Sequence, residues 1–394
     1  MGSIRKAVGL ITLPLSISVV LCLRLLNKVP YIFVINNEFY GHLAFDTELR
    51  IREANNRTII AALKLRKSVN SALEEMIRQR LFLAPRFFVL PYVAFFSRLP
   101  KSVREWFGVI AWEPHREIGR QHLLSNGDSE LKLTLNQLQR SEQVLKTLNL
   151  TKGKYFCIAV RDGSYHAGRV GQQNENHRNL DFSLFIPMLQ ALSSEYRIVR
   201  IGRSDSIQTS IPNLVDYAAT KNPDPLADVV LLKHSLGLIS TGNGVAAVAA
   251  VLGVPCLYIS HFPWEILQTY SNRNWIVPAV YQDRGTKAIV HPRHFMSAKG
   301  IPFANDFYFE KNLERRMPSA DEVLMYCREF MLASSVSSNT MQSTALTEKH
   351  YQQNKTFWLK YKLTLPLWAQ PLHKDISAVV PQSFLDNYDL FTIN

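Results

Sequence analysis

Between Tyr155 and Ile259 short apolar runs alternate with stretches of helical periodicity, and this alternation constrains the fold more than any other feature of the chain. Tyr155–Val160, Tyr196–Ile201, Leu214–Ala218, Leu236–Ser240 and Val254–Ile259 are strand-length and strongly apolar. Between them, Leu180–Leu192, Pro225–Ser235 and Val245–Leu252 read as helices, the first with Asn179 as its expected cap. Apolar strands of this kind are buried on both faces, so the segment is expected to form βαβ units around a parallel sheet.

The first half carries a shorter version of the pattern. Tyr31–Ile35 reads as a buried strand, Asn36–Tyr40 as a polar turn, and helical periodicity runs through Gly41–Leu49 and again through Thr58–Ile77. Residues 106–130 look irregular, 131–149 helical, and Thr151-Lys152-Gly153-Lys154 is the expected hinge. After Asp283 the pattern loosens to an amphipathic helix at Ala320–Leu332, a polar stretch and a final segment to Asn394. A chain of 394 residues with 47% hydrophobic residues is too long for one ordinary core and too apolar for disorder. The expected class is α/β with two facing Rossmann-like domains. They would cover 29–150 and 151–333, after an apolar membrane-associating segment, 1–28, and before a tail, 334–394, packing back on the first domain.

Four scattered cysteines exclude a disulfide scaffold and a thiolate zinc site. The formal charge of +13 implies a polyanionic partner, and its distribution says which kind. Residues 1–105 hold 16 basic and 7 acidic side chains, so most of the surplus lies beside two apolar runs. Ala7–Leu23 has no charge, contains Pro14 and is flanked by Arg5, Lys6, Arg24 and Lys28, as a retained anchor would be. Leu81–Leu99 is aromatic, broken by Pro85 and Pro91 and bracketed by Arg and Lys; it reads either as a surface dipping into anionic headgroups or as a core hairpin with basic edges. Basic charge beside apolar runs, without stacking aromatics on a recognisable module, points to an anionic membrane surface and away from nucleic acid.

Three constellations carry chemistry. In Ser240-Thr241-Gly242-Asn243-Gly244 a strand turns through Gly-Asn-Gly into a helix of small residues, an anion site suited to a diphosphate if its N–H groups are open. Arg161 follows the strand Tyr155–Val160, Arg178 precedes the next helix, and Arg203 and Asp216 lie past later strands, all where ligands meet open α/β sheets. The arginines offer planar forks for phosphate oxygens. Asp216 reads either as a ribose or base contact or as a cap for the following loop. In the first domain His42 follows the strand Tyr31–Ile35, with Asp46 and Glu38 nearby; each of the three is a candidate general base. No metal-ligand spacing occurs and there is no Asp-x-Asp, so neither metal nor cofactor is expected.

Gly41-His42-Leu43-Ala44, Val160-Arg161-Asp162, His177-Arg178-Asn179, Arg200-Ile201-Gly202, Asp216-Tyr217-Ala218, Ser-Thr-Gly-Asn-Gly and Pro381-Gln382-Ser383-Phe384-Leu385 fall in the order found in a group of putative glycosyltransferases of bacterial surface-polysaccharide gene clusters, which the chain resembles. It departs from that pattern at Phe39-Tyr40. The resemblance implies a GT-B-like, metal-independent enzyme of the hexosyl or deoxyhexosyl transfer class, its second half similar to the fucosyltransferase-like group, with Arg161 on the donor diphosphate. The expected donor is a nucleotide sugar bound by the second domain. The expected acceptor is a lipid-linked or nascent glycan held by the first, at the cytoplasmic face of a membrane. The rival expectation is a non-catalytic membrane-surface protein that binds a nucleotide or glycan.

Overall fold

The computed structural model describes residues 2–55, 57–110, 120–125, 128–161, 179–202, 210–297, 305–335, 347–373 and 375–391. In chain order its first half contains α1 (Gly2–Leu25), β1 (Pro30–Ile35), α2 (Tyr40–Ala54), β2 (Thr58–Leu63), α3 (Ser71–Arg80), β3 (Phe82–Leu83), α4 (Arg86–Phe96), α5 (Lys101–Trp106) and α6 (Leu135–Thr147). The second half contains β4 (Tyr155–Ala159), α7 (Ile186–Leu192), β5 (Arg197–Arg200), β6 (Leu214–Asp216), α8 (Pro225–Lys233), β7 (Gly237–Ser240), α9 (Gly244–Val251), β8 (Cys256–His261) and β9 (Asn274–Pro278). There follow β10 (Val280–Asp283), α10 (Asn305–Glu310), β11 (Leu313–Arg316), α11 (Ala320–Ser335), α12 (Glu348–Thr364) and α13 (Gln382–Asn387).

The protein is a mixed α/β fold with two parallel sheets, in order β1-β2-β3 and β6-β5-β4-β7-β8-β9, beside an antiparallel β10-β11 pair. Thr58–Leu63, expected to continue a helix, is a strand: its β-branched Thr-Ile-Ile start pairs with β1 from Pro30↔Thr58 to Ile35↔Leu63. In this first sheet alternate residues serve opposite layers. Tyr31, Phe33, Ile35, Ala61 and Leu63 join Leu43, Ala44 and Leu73 of α2 and α3 in the main core, which continues unbroken through the second sheet. Ile32, Ala62 and Val109 face Val89, Tyr92 and Phe96 of α4 and Val20 of α1 in a smaller core on the other side.

The segment expected to associate with a membrane is thus a layer of the fold. Leu13, Ile17 and Val20 of α1 pack on this second core, Ser16 Oγ donates to the Phe88 carbonyl at 3.3 Å, and Arg24 bonds the Trp106 carbonyl while lying over its ring. The opposite stripe, Leu15, Val19, Cys22 and Leu26, is exposed. Among the described residues no helix is long and apolar enough to cross a membrane. Leu81–Leu99 is neither hairpin nor span: α4 starts directly after Pro85 and carries Pro91 inside it.

The tail was expected to pack on the first domain, and its described residues, 347–373 and 375–391, lie against the second half of the chain. Phe357 and Tyr361 of α12 meet Trp264, whose carbonyl accepts the Tyr361 hydroxyl at 2.5 Å, and Trp358 packs edge-on against Tyr361. Val379 bonds Asn274 and Ile276, extending the sheet one residue past β9 and covering its edge. These aromatics are too large to leave in water, and the apolar surface they match is in the second half.

His373 fastens this segment. Its Nδ1 accepts from the Thr269 hydroxyl at 2.8 Å, and its Nε2 meets the Glu265 carbonyl at 2.9 Å. Burial pushes the pKa of the ring down to about 4. The folded state therefore favours neutral imidazole, a contribution fully present above pH 6.5 and lost as pH falls through about 4. We expect about 3 kcal/mol of acid-side destabilisation from this residue. Urea unfolding at pH 7.5, 5.5 and 4.5 should show a flatter pH dependence for His373→Gln than for the wild type; identical slopes would show that His373 does not titrate this way.

Candidate functional site

The second sheet grows outward from β4 in one direction and from β7 in the other, the strand order of a doubly wound nucleotide-binding sheet. At this switch point the carboxyl ends of β4 and β7 lie side by side, at the edge where open α/β sheets bind ligands. Here the two strand ends are tied together. The Arg161 N–H donates to Thr241 Oγ1 at 2.8 Å, and Asn243 Nδ2 donates to the Ala159 carbonyl at 2.8 Å. The Arg161 side chain is directed by Asn179, whose Oδ1 accepts from Nε at 3.1 Å. Asn179, expected as a helix cap, positions an arginine instead; the cap is Asp181, which accepts from the Ser183 N–H at 2.9 Å.

The Gly-Asn-Gly turn holds its N–H groups differently from the sequence expectation. Asn243 Oδ1 accepts from Val245 and Ala246 at 3.0 and 3.1 Å, so two of the donors that would face a diphosphate are satisfied within the turn. Gly242 has φ +75°, and a Cβ there would stand 2.5 Å from His261 Nδ1. Gly244 meets the first half of the chain: a Cβ on Gly41 would lie 2.9 Å from Gly244 Cα and 3.2 Å from Ala247 Cβ. The N-terminal ends of α2 and α9 therefore meet backbone to backbone, and α2 starts without a side-chain cap. Tyr40 is carried into this junction beside Asp228 and Tyr217, its hydroxyl without a hydrogen-bond partner among the described residues and its pKa pushed well up, chiefly by burial.

One turn into α2, His42 Nδ1 sits 2.9 Å from Asp46 Oδ2, on an exposed face. A carboxylate on Nδ1 fixes the ring orientation and supports a proton arriving at Nε2. Glu38, the third candidate base, pairs with Lys64 at 3.1 Å. Asp216 is gripped in a fork by Arg200, at 2.7 and 2.9 Å, across the β5–β6 pair; this ion pair within the sheet engages both carboxylate oxygens that would meet a ribose or base. Arg178 and Arg203 lie outside the described residues.

Two buried groups and one half-buried one near this edge were not singled out in the sequence. A bulge in β8 between Tyr258 and His261 brings the His261 ring against Gly242 and stacks it on Tyr258. Glu265 Oε1 accepts from the Ser297 N–H at 2.7 Å, and burial pushes its carboxyl up to about 7. Arg315 on β11 donates to the Asn179 carbonyl at 2.5 Å. Nothing in the local sequence marks Arg315, because β11 belongs to the small antiparallel pair and reaches the site only through tertiary packing.

Among the described residues no group of three or more His, Cys, Asp or Glu side chains is placed to hold a metal ion. No protein-family model and no curated protein matches the chain. Among solved structures, it is similar to the dodecameric iron-containing heptosyltransferase TibC in complex with ADP-D-beta-D-heptose. That likeness has 12% identity over 78% of this chain and 77% of that one, with a TM-score of 0.39. It is also similar to the UDP-GlcNAc 2-epimerase of Methanocaldococcus jannaschii, solved with UDP-GlcNAc and UDP, at 12% identity over 67% and 68% of the two chains and a TM-score of 0.26. At that distance neither likeness bears on function.

The junction of α2 and α9 yields a direct test. Gly41→Val drives a branched side chain into Gly244 Cα and should cost about 1–3 kcal/mol in urea unfolding, whereas Val103→Ala, at an exposed site on α5, should change little. Wild-type stability in Gly41→Val would show that the helices do not touch there.

Proposed function

We propose that the protein transfers a sugar from a nucleotide-diphosphate donor, bound at the carboxyl edge of the six-stranded sheet, to a hydroxyl of a lipid-linked or nascent surface glycan. The observation that carries this reading is the switch-point lacing of Arg161 to Thr241, next to which α2 sets the His42–Asp46 pair. The acceptor oxygen bonds to the anomeric carbon as the bond from that carbon to the diphosphate oxygen breaks. The acceptor proton goes to His42 Nε2, Asp46 stabilises the imidazolium, and the diphosphate leaves with both electrons of the broken bond. Arg161 meets the negative charge that grows on the diphosphate, the place where a fixed donor lowers the barrier most. The mechanism uses arginine for this task and needs no metal.

The same reading puts the protein on the cytoplasmic face of a membrane, where nucleotide sugars and a lipid-linked acceptor meet. The outer stripe of α1, together with exposed Phe87, Phe95 and Trp106 on α4 and α5, forms apolar surface beside Arg98 and Lys101. Apolar insertion and attraction to anionic headgroups add on such a surface, at roughly 1 kcal/mol for each cation near the leaflet.

Arg161→Ala should lower kcat for nucleotide-sugar cleavage by about 10²-fold or more with Tm unchanged, and His42→Gln and Asp46→Asn should both slow transfer to acceptor. Binding of nucleotide sugars by the wild type without any release of nucleotide would favour a non-catalytic binding protein. For the membrane, Leu15→Ser/Val19→Ser and Phe87→Ser/Trp106→Ser should sediment less with phosphatidylglycerol vesicles than the wild type. Equal sedimentation of all three proteins would remove this face from any membrane contact.

A further inference from the structure

Arg315 is a half-buried guanidinium whose partners among the described residues are neutral: the Asn179 carbonyl at 2.5 Å, Met317 Sδ at 3.6 Å and Tyr281. Among the described residues no carboxylate pairs with it, although Arg316, the next residue, binds Glu322 at 3.0 Å and Arg200 binds Asp216. Burial lowers the pKa of the Arg315 side chain. A desolvated cation without a counter-charge costs stability unless an anion arrives to complete it.

Its place in the fold says which anion. Asn179 holds both arginines: its side chain accepts from Arg161 Nε and its backbone carbonyl accepts from Arg315 Nη2. One residue thus joins a guanidinium from the end of β4 and another from β11, strands that belong to different sheets. The geometry points to a two-armed diphosphate clamp in which Arg161 and Arg315, both oriented by Asn179, close on one pyrophosphate group. Two planar forks held by a common residue suit two linked phosphates better than a single tetrahedral ion. The inference rests on the donor reading above and adds to it a second binding residue.

Calorimetric titration of the full-length protein with inorganic pyrophosphate tests it, with sulfate at matched ionic strength as the comparison ion. The wild type should bind pyrophosphate at least tenfold more tightly than sulfate. Arg315→Met should weaken pyrophosphate at least tenfold, while its Tm without ligand stays level or rises, because an unpaired cation has been removed. Arg315→Lys, which keeps the charge and loses the fork, should fall between the two, and it decides the matter if the Met variant does not fold. No preference for pyrophosphate over sulfate, or wild-type pyrophosphate binding in either Arg315 variant, would overturn the clamp. Clamp behaviour intact with no cleavage of any nucleotide sugar would overturn the transfer reaction and leave the clamp standing.

Discussion

The contact on which the rest of this molecule depends involves almost no side chain: the backbone of Gly41 lying on that of Gly244. Two helices begin there, one from each parallel sheet, and only hydrogen at both Cα positions lets their axes come so close. The main core runs without a break through both halves, and this contact lies within it, beside Leu43, Ala44 and Ala246. Further along α2, the buried Glu48 pairs with Arg52 at 2.7 Å and accepts from the N–H groups of Glu130 and Leu131, so the helix is fastened at the junction and again two turns on. Positioning of His42 therefore follows from packing rather than from the flexibility of a loop.

The positive ends of two helix dipoles converge at this junction, with Asp228 beside Tyr40 and two arginines at the nearby sheet edge. Helix starts brought together in this way have backbone donors to satisfy. Asn243 fills the first donors of α9 with its own amide oxygen. Arg161 and Arg315 stand instead at the edge of the sheet, both on Asn179. Under the proposed function, anion binding falls to these guanidinium forks and not to backbone N–H groups.

The parallel sheet of the second half was legible because its strands are apolar on both faces and separated by helices of ordinary length. His42 and Asp46 were legible as two of three rival bases after the first strand, and their pairing one turn apart on α2 was not. Thr58–Leu63 was misread because its apolar residues also fit a helical period, and only pairing with β1 decides between the two. Asp216 looked available because the strand-end position is the usual place for a ribose contact, while the partner that engages it sits opposite on the next strand. Arg315 and the docking of α12 are long-range facts; they depend on which aromatic surface the chain meets after many intervening residues, and no local pattern encodes that.

The first helix looks from the sequence like a tether that could be cut without consequence for the body it holds. In the structure its inner stripe is the cover of the first sheet: with α1 gone, Ile32, Ala62 and the inner face of α4 would lose part of the layer that keeps water from them. One helix is at once roof to the core and the outermost apolar surface. A form that begins after α1 is therefore not the same protein minus an attachment: it is a protein with one layer of its smaller core removed.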